Sequence, residues 1–454
     1  MKTKLLLFFF IPFLSFSQVL KGSLISGISS TNSARAFVAL SSDGNILVAS
    51  GPYNGAGLTK VYKFENNDWV QLGGVTGHPY SVSISSDGTI IAGGSIKAGN
   101  LDNGTVGIYK YVNDNWVLIG SQIQGKESFD EFGYKVALSS DGTIVAASAI
   151  LNDINGSKSG HVRVFKNIND VWTQIGSDIN GDAAADKFGT DITLSSDGTI
   201  IGIGTPLNDV NGTSSGQVKI FKNINNIWTQ IGTDLLGDAA GNKFGESISM
   251  SSDGTSIVIA APTTTGSTFP SENSYCKVYE NINDVWIQKG SKITDIQRDA
   301  VVSMSGDGKF IVVKKKNGFA HIYEFKNNDW EEIGVVSRNT KLDFHLSKDA
   351  NTLALGLNQS RALVEVYDLS GLTLGVNDFV NYSTKIFPNP VKKVLSIELK
   401  NNLLLKQVII YNQLGKKIIS TLSSKIDISM YQKGIYFTKI ITNKGFTFKK
   451  IIKN

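Results

Sequence analysis

Seven times along this chain a strand-like run ends in Ser-Ser-Asp-Gly or a close relative of it, and that regularity limits the folds open to the rest of the sequence. The turn aspartates are Asp43, Asp87, Asp141, Asp197, Asp253, Asp307 and Asp349, the last in an altered copy that reads Ser347-Lys348-Asp349-Ala350. Six copies are each followed by one of the chain's six tryptophans, Trp69, Trp116, Trp172, Trp228, Trp286 and Trp330. A fixed period of this length marks a repeat architecture, in which each unit buries its apolar faces on its neighbours.

One unit reads as four strands, a to d. In the third copy Val136-Ala137-Leu138 leads into the turn, and Ile144 to Ala147 follows. After a polar loop comes His161-Val162-Arg163-Val164-Phe165, whose alternation is that of a half-buried strand. A tight Asn169-Asp170 turn then precedes Trp172-Thr173-Gln174-Ile175. Asp-Gly suits the positive φ angles of a two-residue hairpin, so Ser-Ser-Asp-Gly is read as a turn and its aspartates as structural. The tryptophans and the aromatic of each c strand are read as packing between neighbouring sheets.

Seven four-stranded units predict an all-β chain whose main body is a seven-bladed β-propeller. The seventh copy has a c strand, Val364 to Tyr367, but no tryptophan strand after it. Residues 19–27 are similar to the stretch from Gln230 to Gly237, so the N-terminus is expected to supply the missing d strand and remove two open sheet edges. In such a unit the b–c and d–a connections emerge on one face. These are the long, variable ones, so that face is expected to carry any binding site.

Composition divides the chain. Residues 385–454 hold fourteen lysines and two acids, Glu398 and Asp427, while the remainder is acidic. A basic tail on an acidic body reads as a domain boundary and not as a nucleic-acid protein. The expected domains are a signal peptide over 1–17, with Lys2 and Lys4 before an apolar run, then the propeller over 18–370, a linker over 371–384 and a small β-sandwich over 385–454. No other stretch is long and apolar enough for a helical span. The single cysteine, Cys276, stands where Val162 and Val218 stand in other repeats and reads as a buried small hydrophobe.

Two resemblances add to this. Phe132-Gly133, Phe188-Gly189 and Phe244-Gly245, each preceded two residues earlier by Asp130, Asp186 or Asn242, with Ser50-Gly51-Pro52, Gly204-Thr205-Pro206 and Ala260-Ala261-Pro262 downstream, resemble degenerate FG-GAP repeats. That family forms the seven-bladed propeller of integrin α-subunits. Its aspartate-rich calcium loop is replaced here by the short hairpin, which leaves too few oxygen ligands. The tail resembles a type A C-terminal sorting domain of the type IX (Por) secretion system of Bacteroidota, of immunoglobulin-like sandwich form. The residues that carry this are Pro388, Asn389 and Pro390, Tyr411 with Leu414, Gly415 and Lys416, and Gly434 with Tyr436. The resemblance implies partners, namely the type IX machinery and its sortase, and a protein that is secreted or attached to the outer cell surface.

Chemistry is sparse. His78, His161, His321 and His345 show no metal-ligand spacing, and His161 and His321 are expected on solvated strand faces. Gly212-Thr213-Ser214-Ser215-Gly216 matches a nucleophile elbow but falls in a b–c loop, where the preceding repeat has Lys158 in place of Ser214. Asp153, Asn155, Asp209, Asn211 and Asp186 are the candidate binding-face loop residues. No catalytic residue, metal or cofactor is expected. The expected role is a non-enzymatic binding or adhesion module for an extracellular glycan or protein. The alternative is a glycan-active hydrolase or lyase, which a pair of pocket carboxylates with shifted pKa values would favour.

Overall fold

The computed structural model describes residues 19–28, 36–51, 58–77, 80–99, 102–263, 274–299, 301–336, 343–357, 363–371, 384–399, 403–412, 416–442 and 445–454. The proposed signal peptide and nearly all of the linker lie outside them, as do His78, Leu414 and Gly415. The chain divides into two compact units, residues 1–369 and 370–454.

The first unit contains seven antiparallel sheets, each built on an a–b–c–d order. Their a strands are Phe37–Leu40, Ser81–Ile84, Phe132–Leu138, Asp191–Leu194, Ser247–Met250, Val302–Met304 and Asp343–Leu346. Each a strand packs against the next, and the seventh packs against the first, so the sheets close around one axis as a β-propeller. The b strands lie deepest: all six residues of Ile144–Ala149, Ser256–Ala261 and Thr352–Leu357 are buried. The d strand of the seventh sheet is Val19–Leu20, which pairs antiparallel with Leu363–Asp368. Further on, Ile25 and Val364 exchange backbone hydrogen bonds of 3.1 and 2.9 Å.

All four residues of the turn motif have work in the structure, and only part of it is hairpin geometry. In the third copy Gly142 N–H donates to the Ser139 carbonyl at 2.9 Å and carries φ +69°. Ser139 Oγ donates to Asp141 Oδ1 at 2.6 Å and accepts from Ile144 N–H at 2.9 Å. The loop is wider than a two-residue hairpin, because Leu138 pairs with Val145, and Asp141 keeps a negative φ. The two-residue turn with both φ angles positive is instead the c–d link, Asn169 at 52° and Asp170 at 62°.

The second turn residue builds the axis. Ser42 N–H donates to the Ser86 carbonyl at 3.0 Å, Ser86 to Ser140, Ser140 to Ser196, Ser196 to Ser252, Ser252 to Gly306 and Gly306 to Lys348 at 2.8 Å each. Asp349 N–H then closes the circuit on the Ser42 carbonyl at 3.1 Å. Above this ring, free edge N–H groups of one a strand are taken up by side chains of the preceding one. Val136 donates to Ser81 Oγ, Leu138 to Ser83 Oγ, Met250 to Thr193 Oγ1 and Leu346 to Ser303 Oγ. An edge that would otherwise invite pairing is thereby satisfied within the ring.

The tryptophans fasten the outer seams. Trp228 Nε1–H donates to the Ile175 carbonyl of the preceding sheet at 2.9 Å, and all six tryptophans make the corresponding bond. The d strand is broken at this point, because Gly176 takes φ +74° and a Cβ there would lie 2.7 Å from Trp228 Cδ1. Gly22 repeats the arrangement against Trp69, with φ +79° and 2.8 Å. The N-terminal strand therefore receives a tryptophan as every complete d strand but the sixth does.

The second unit is a sandwich of a three-stranded and a four-stranded sheet around Val391, Leu395, Ile397, Val408, Ile410, Ile440 and Ile451. Asn389 fixes its entry: Nδ2 donates to the Lys450 carbonyl and Oδ1 accepts from Ile452 N–H, both at 2.9 Å. Lys416 N–H donates to Asn412 Oδ1 at 2.9 Å across a hairpin, and Tyr436 Oη donates to the Gln432 carbonyl at 2.7 Å. Tyr411 pairs with Phe437 in the next strand, and Gly434 begins that strand.

Candidate functional site at the axis

Each a strand runs from the looped face to the Ser-Ser-Asp-Gly turn, and its first residues line the axial channel just below that face. The a strands along their length, down to the turn residues Ser42, Ser86, Ser140, Ser196 and Lys348, line about 340 Å³. The lining is unequal around the ring. Sheets one to three contribute an aromatic arc, with Phe37 and Tyr80 ring centres 5.7 Å apart and Tyr80 and Tyr134 5.1 Å apart. Sheets four to seven contribute Asp191, Glu246, Asp299 and Asp343. Lys135 of the third sheet reaches from the aromatic side to Asp191 Oδ1 at 3.2 Å, joining the two halves.

The carboxylates differ in state. Asp191 Oδ2 accepts from Ile248 N–H at 2.9 Å as well as meeting Lys135, while Asp299 lies 3.6 Å from Lys314. Asp343 Oδ2 accepts from Val38 N–H at 3.0 Å, and the carboxyl also takes the Phe344 N–H. Burial pushes the Asp343 carboxyl up to about 6, against the pull of Lys135. Glu246 is likewise raised by burial, with Lys243 opposing. Among the described residues neither Asp343 nor Glu246 has an ion-pair partner.

The Phe-Gly pairs place part of this lining. Phe132, Phe188 and Phe244 are fully buried wedges, and the residue after each pair, Tyr134, Thr190 or Glu246, faces the cavity. The residue before each wedge, Glu131, Lys187 or Lys243, holds a positive φ of 57, 53 or 52°. Its carbonyl accepts from Tyr134, Thr190 or Glu246 N–H at 3.1 to 3.2 Å, a tight turn that aims the next side chain inward.

The seventh sheet departs most from the repeat here. It places His345 where the others have serine, threonine or alanine, Lys348 where they have serine or glycine, and Asp343 at a position that differs from sheet to sheet. His345 Nδ1 takes Leu40 N–H at 3.3 Å, and burial lowers its pKa to about 3, which keeps the ring neutral and accepting. Lys348 Nζ lies across the far end of the channel and donates to the Met250 carbonyl at 3.2 Å, two sheets away. Its pKa is lowered by burial to about 8.

The loop residues singled out by sequence lie elsewhere, on b–c and d–a connections. Asp153 Oδ1 accepts from Lys158 N–H and Asp209 Oδ1 from Ser214 N–H, both at 2.7 Å. Asn155 Nδ2 donates to the Gly181 carbonyl at 2.8 Å and Asn211 Nδ2 to the Gly237 carbonyl at 2.7 Å. Buried Asp186 accepts from Asn208 Nδ2 at 2.8 Å, and Asp130 accepts from Asn152 in the same way at 2.9 Å. These side chains tie loop to loop and do not line the axial cavity. No group of three or more His, Cys, Asp or Glu residues suited to a metal occurs among the described residues.

His161 and His321 are not solvated. They are 1% and 7% exposed, because a returning segment covers the start of each c strand: Ile179–Asn180 over His161 and Asp329–Val336 over His321. Burial lowers the His161 pKa to about 4, against the attraction of Asp178. Ser214 sits in its loop with φ +50°, away from any histidine pairing. Cys276 is 1% exposed and its thiol is pushed up to about 12 by burial.

The axial residues share no signature in the sequence, because the repeats agree in their turns and differ where they face the axis. The available signal was the opposite one, variation at a constant position. The two residues that open each a strand change from one sheet to the next, while five of the seven turns that follow read Ser-Ser-Asp-Gly without change.

Comparison with known proteins agrees with the two-part organisation. Residues 385–454 match the family described as secretion system C-terminal sorting domain, and residues 124–165 match an FG-GAP repeat. The chain thus carries a type IX sorting tail, which marks it for secretion or for attachment to the outer cell surface. Among solved structures it is similar to Kuenenia stuttgartiensis hydrazine synthase, with 11% identity and a TM-score of 0.50 over 75% of this chain and 96% of that one. It is also similar to the β-propeller domain of Myceliophteria thermophila Cps50 (Swd1), with 11% identity and a TM-score of 0.52 over 78% of this chain and all of that one. At such identity the likeness speaks for the fold alone. No curated protein matches the sequence.

Proposed function

We propose that the exported propeller is a non-enzymatic binding module that takes the end of an extracellular glycan in its axial cavity. One observation carries the reading: an aromatic arc, Phe37, Tyr80 and Tyr134, faces hydrogen-bonding carboxylates across a cavity of about 340 Å³ beneath the looped face. Aromatic rings offer apolar faces to the C–H side of a sugar, and a few convergent polar groups fix its orientation. Probing a glycan array with residues 18–454 tests it. Binding should fall at least tenfold in Tyr80→Ala or Tyr134→Ala and stay unchanged in Asp153→Ala. Equal binding by all four proteins would remove the cavity from the account.

A second reading, a glycan hydrolase or lyase, is favoured by one specific feature. Asp343, raised to about 6, shares the cavity with Asp191, which Lys135 contacts. Two carboxyl groups in unlike surroundings are what glycoside cleavage requires. Release of reducing ends from a bound polysaccharide, abolished in Asp343→Asn and in Asp191→Asn, would establish that reading over the first.

A further inference from the structure

The cavity has two unlike halves, and the split follows the order of the sheets. Its aromatic half comes from sheets one to three, its acidic half from sheets four to seven. Within the acidic half, Asp191 is paired with Lys135 and Asp299 with Lys314, whereas Asp343 and Glu246 have no cation at ion-pair distance among the described residues and feel Lys135 only from further off. The remaining lining cation, Lys348, is spent on the Met250 carbonyl at the opposite end. The cavity therefore presents two carboxyl groups that no cation contacts directly, opposite a wall of rings. A ligand that placed an apolar ring face on the arc and a cationic group on the acids would satisfy both halves at once.

We propose that the axial cavity recognises a terminal amino sugar, its ring lying on Phe37, Tyr80 and Tyr134 and its primary ammonium donating to the acidic half at Asp343 or Glu246. This rests on the reading of the cavity as a glycan site and narrows it to one class of glycan. A neutral sugar would fill the aromatic half and leave both carboxyl groups without a cationic partner. An N-acetylated sugar would bring an amide, which carries no charge to offset them.

The test is titration calorimetry on residues 18–454 in 0.15 M salt, where general attraction between charges is screened. The probes are a glucosamine tetramer, its fully N-acetylated counterpart, a neutral β-1,4-glucose tetramer and a linear tetra-amine. A charge-assisted contact predicts that the glucosamine tetramer binds about 10- to 100-fold more tightly than either uncharged sugar. Asp343→Asn or Glu246→Gln should erase most of that preference, and a preference untouched by both would overturn the assignment. Asp182→Asn, on the outer rim beside Lys219, should change nothing. Equal binding of all three sugars would overturn the amino-sugar assignment and leave the glycan reading standing. Binding of the tetra-amine as tight as that of the glucosamine tetramer would show that charge alone is read, and would overturn it too. Failure of every sugar to bind would remove both. Melting curves recorded for each variant show whether a lost preference reflects a lost fold.

Discussion

Removing residues 18–27 should unfold the propeller as a whole and not merely fray its last sheet. The deletion takes away the strand Val19–Leu20, the bond from Lys21 N–H to the Val366 carbonyl and the reciprocal pair between Ile25 and Val364. At about 1 kcal/mol net for each backbone bond, these three contribute about 3 kcal/mol. Ile25 is 6% exposed within a cluster that includes Ile28, Val38, Val364 and Val366, and its burial adds about 2 kcal/mol. The Trp69 indole loses its acceptor, the Lys21 carbonyl at 2.5 Å, which costs a further 1 to 3 kcal/mol or so. The total, roughly 6 to 8 kcal/mol, is comparable with the whole stability of a typical domain. All six tryptophans lie in the propeller and none in the tail, so fluorescence-detected urea unfolding reports on this unit alone. The truncated chain should show a transition shifted to much lower urea or none at all, and a synthetic peptide of residues 18–28 added in excess should restore it. An unchanged midpoint and slope after the deletion would refute the view that the first strand closes the ring.

Three further outcomes follow from local geometry. Trp228→Phe keeps most of the packing but deprives the Ile175 carbonyl of its donor, so the propeller should lose about 1 to 3 kcal/mol in the same urea assay. Asp343→Asn should stabilise the protein above pH 6, by an upper bound of about 3 kcal/mol. The folded-state pKa is raised, so the folded protein holds its proton more tightly than the unfolded chain, and Asp343 costs stability progressively as pH rises from about 4 to about 6. Melting temperatures of parent and variant should therefore diverge across that window and run parallel above it; parallel curves throughout would count against a raised Asp343. Deleting residues 385–454 should leave the propeller folded but retained in the cell envelope, as fractionation and fluorescence-detected unfolding would show; appearance of the tail-less chain in the medium at parental levels would contradict the assignment.

What the sequence made legible was whatever recurs. The spacing of Asp43 to Asp349 and of the six tryptophans shows seven strand units, because a turn needs its glycine and its acceptor side chain wherever it occurs. The inter-sheet roles were hidden, since the bond from Ser86 N–H to Ser140 and the indole bond of Trp228 to Ile175 depend on a neighbour more than fifty positions away. Misreading followed the same line. His161 alternates as a solvated residue would, yet Ile179–Asn180 returns to cover it. The Asp-Gly pair suggested a two-residue hairpin, while the structure gives that geometry to Asn169-Asp170. Most instructive is the seventh copy. Lys348 in place of serine reads in one dimension as decay from a consensus, and only the closed ring shows that Asp343, His345 and Lys348 all face a shared channel.

Lys348 also sets a limit on what kind of molecule can be accommodated. Its side chain spans a chord of the channel, from the seventh sheet to the fifth, beside the circuit of seven amide bonds. The crossing narrows the channel at its turn end. On the glycan reading proposed above, a chain entering from the looped face meets this crossing, so the propeller would count chain ends and ignore length. Affinity per molecule should stop rising once an oligosaccharide outgrows the channel, and trimming a long glycan into many short ones should multiply the sites available to the protein without changing the strength of any one of them.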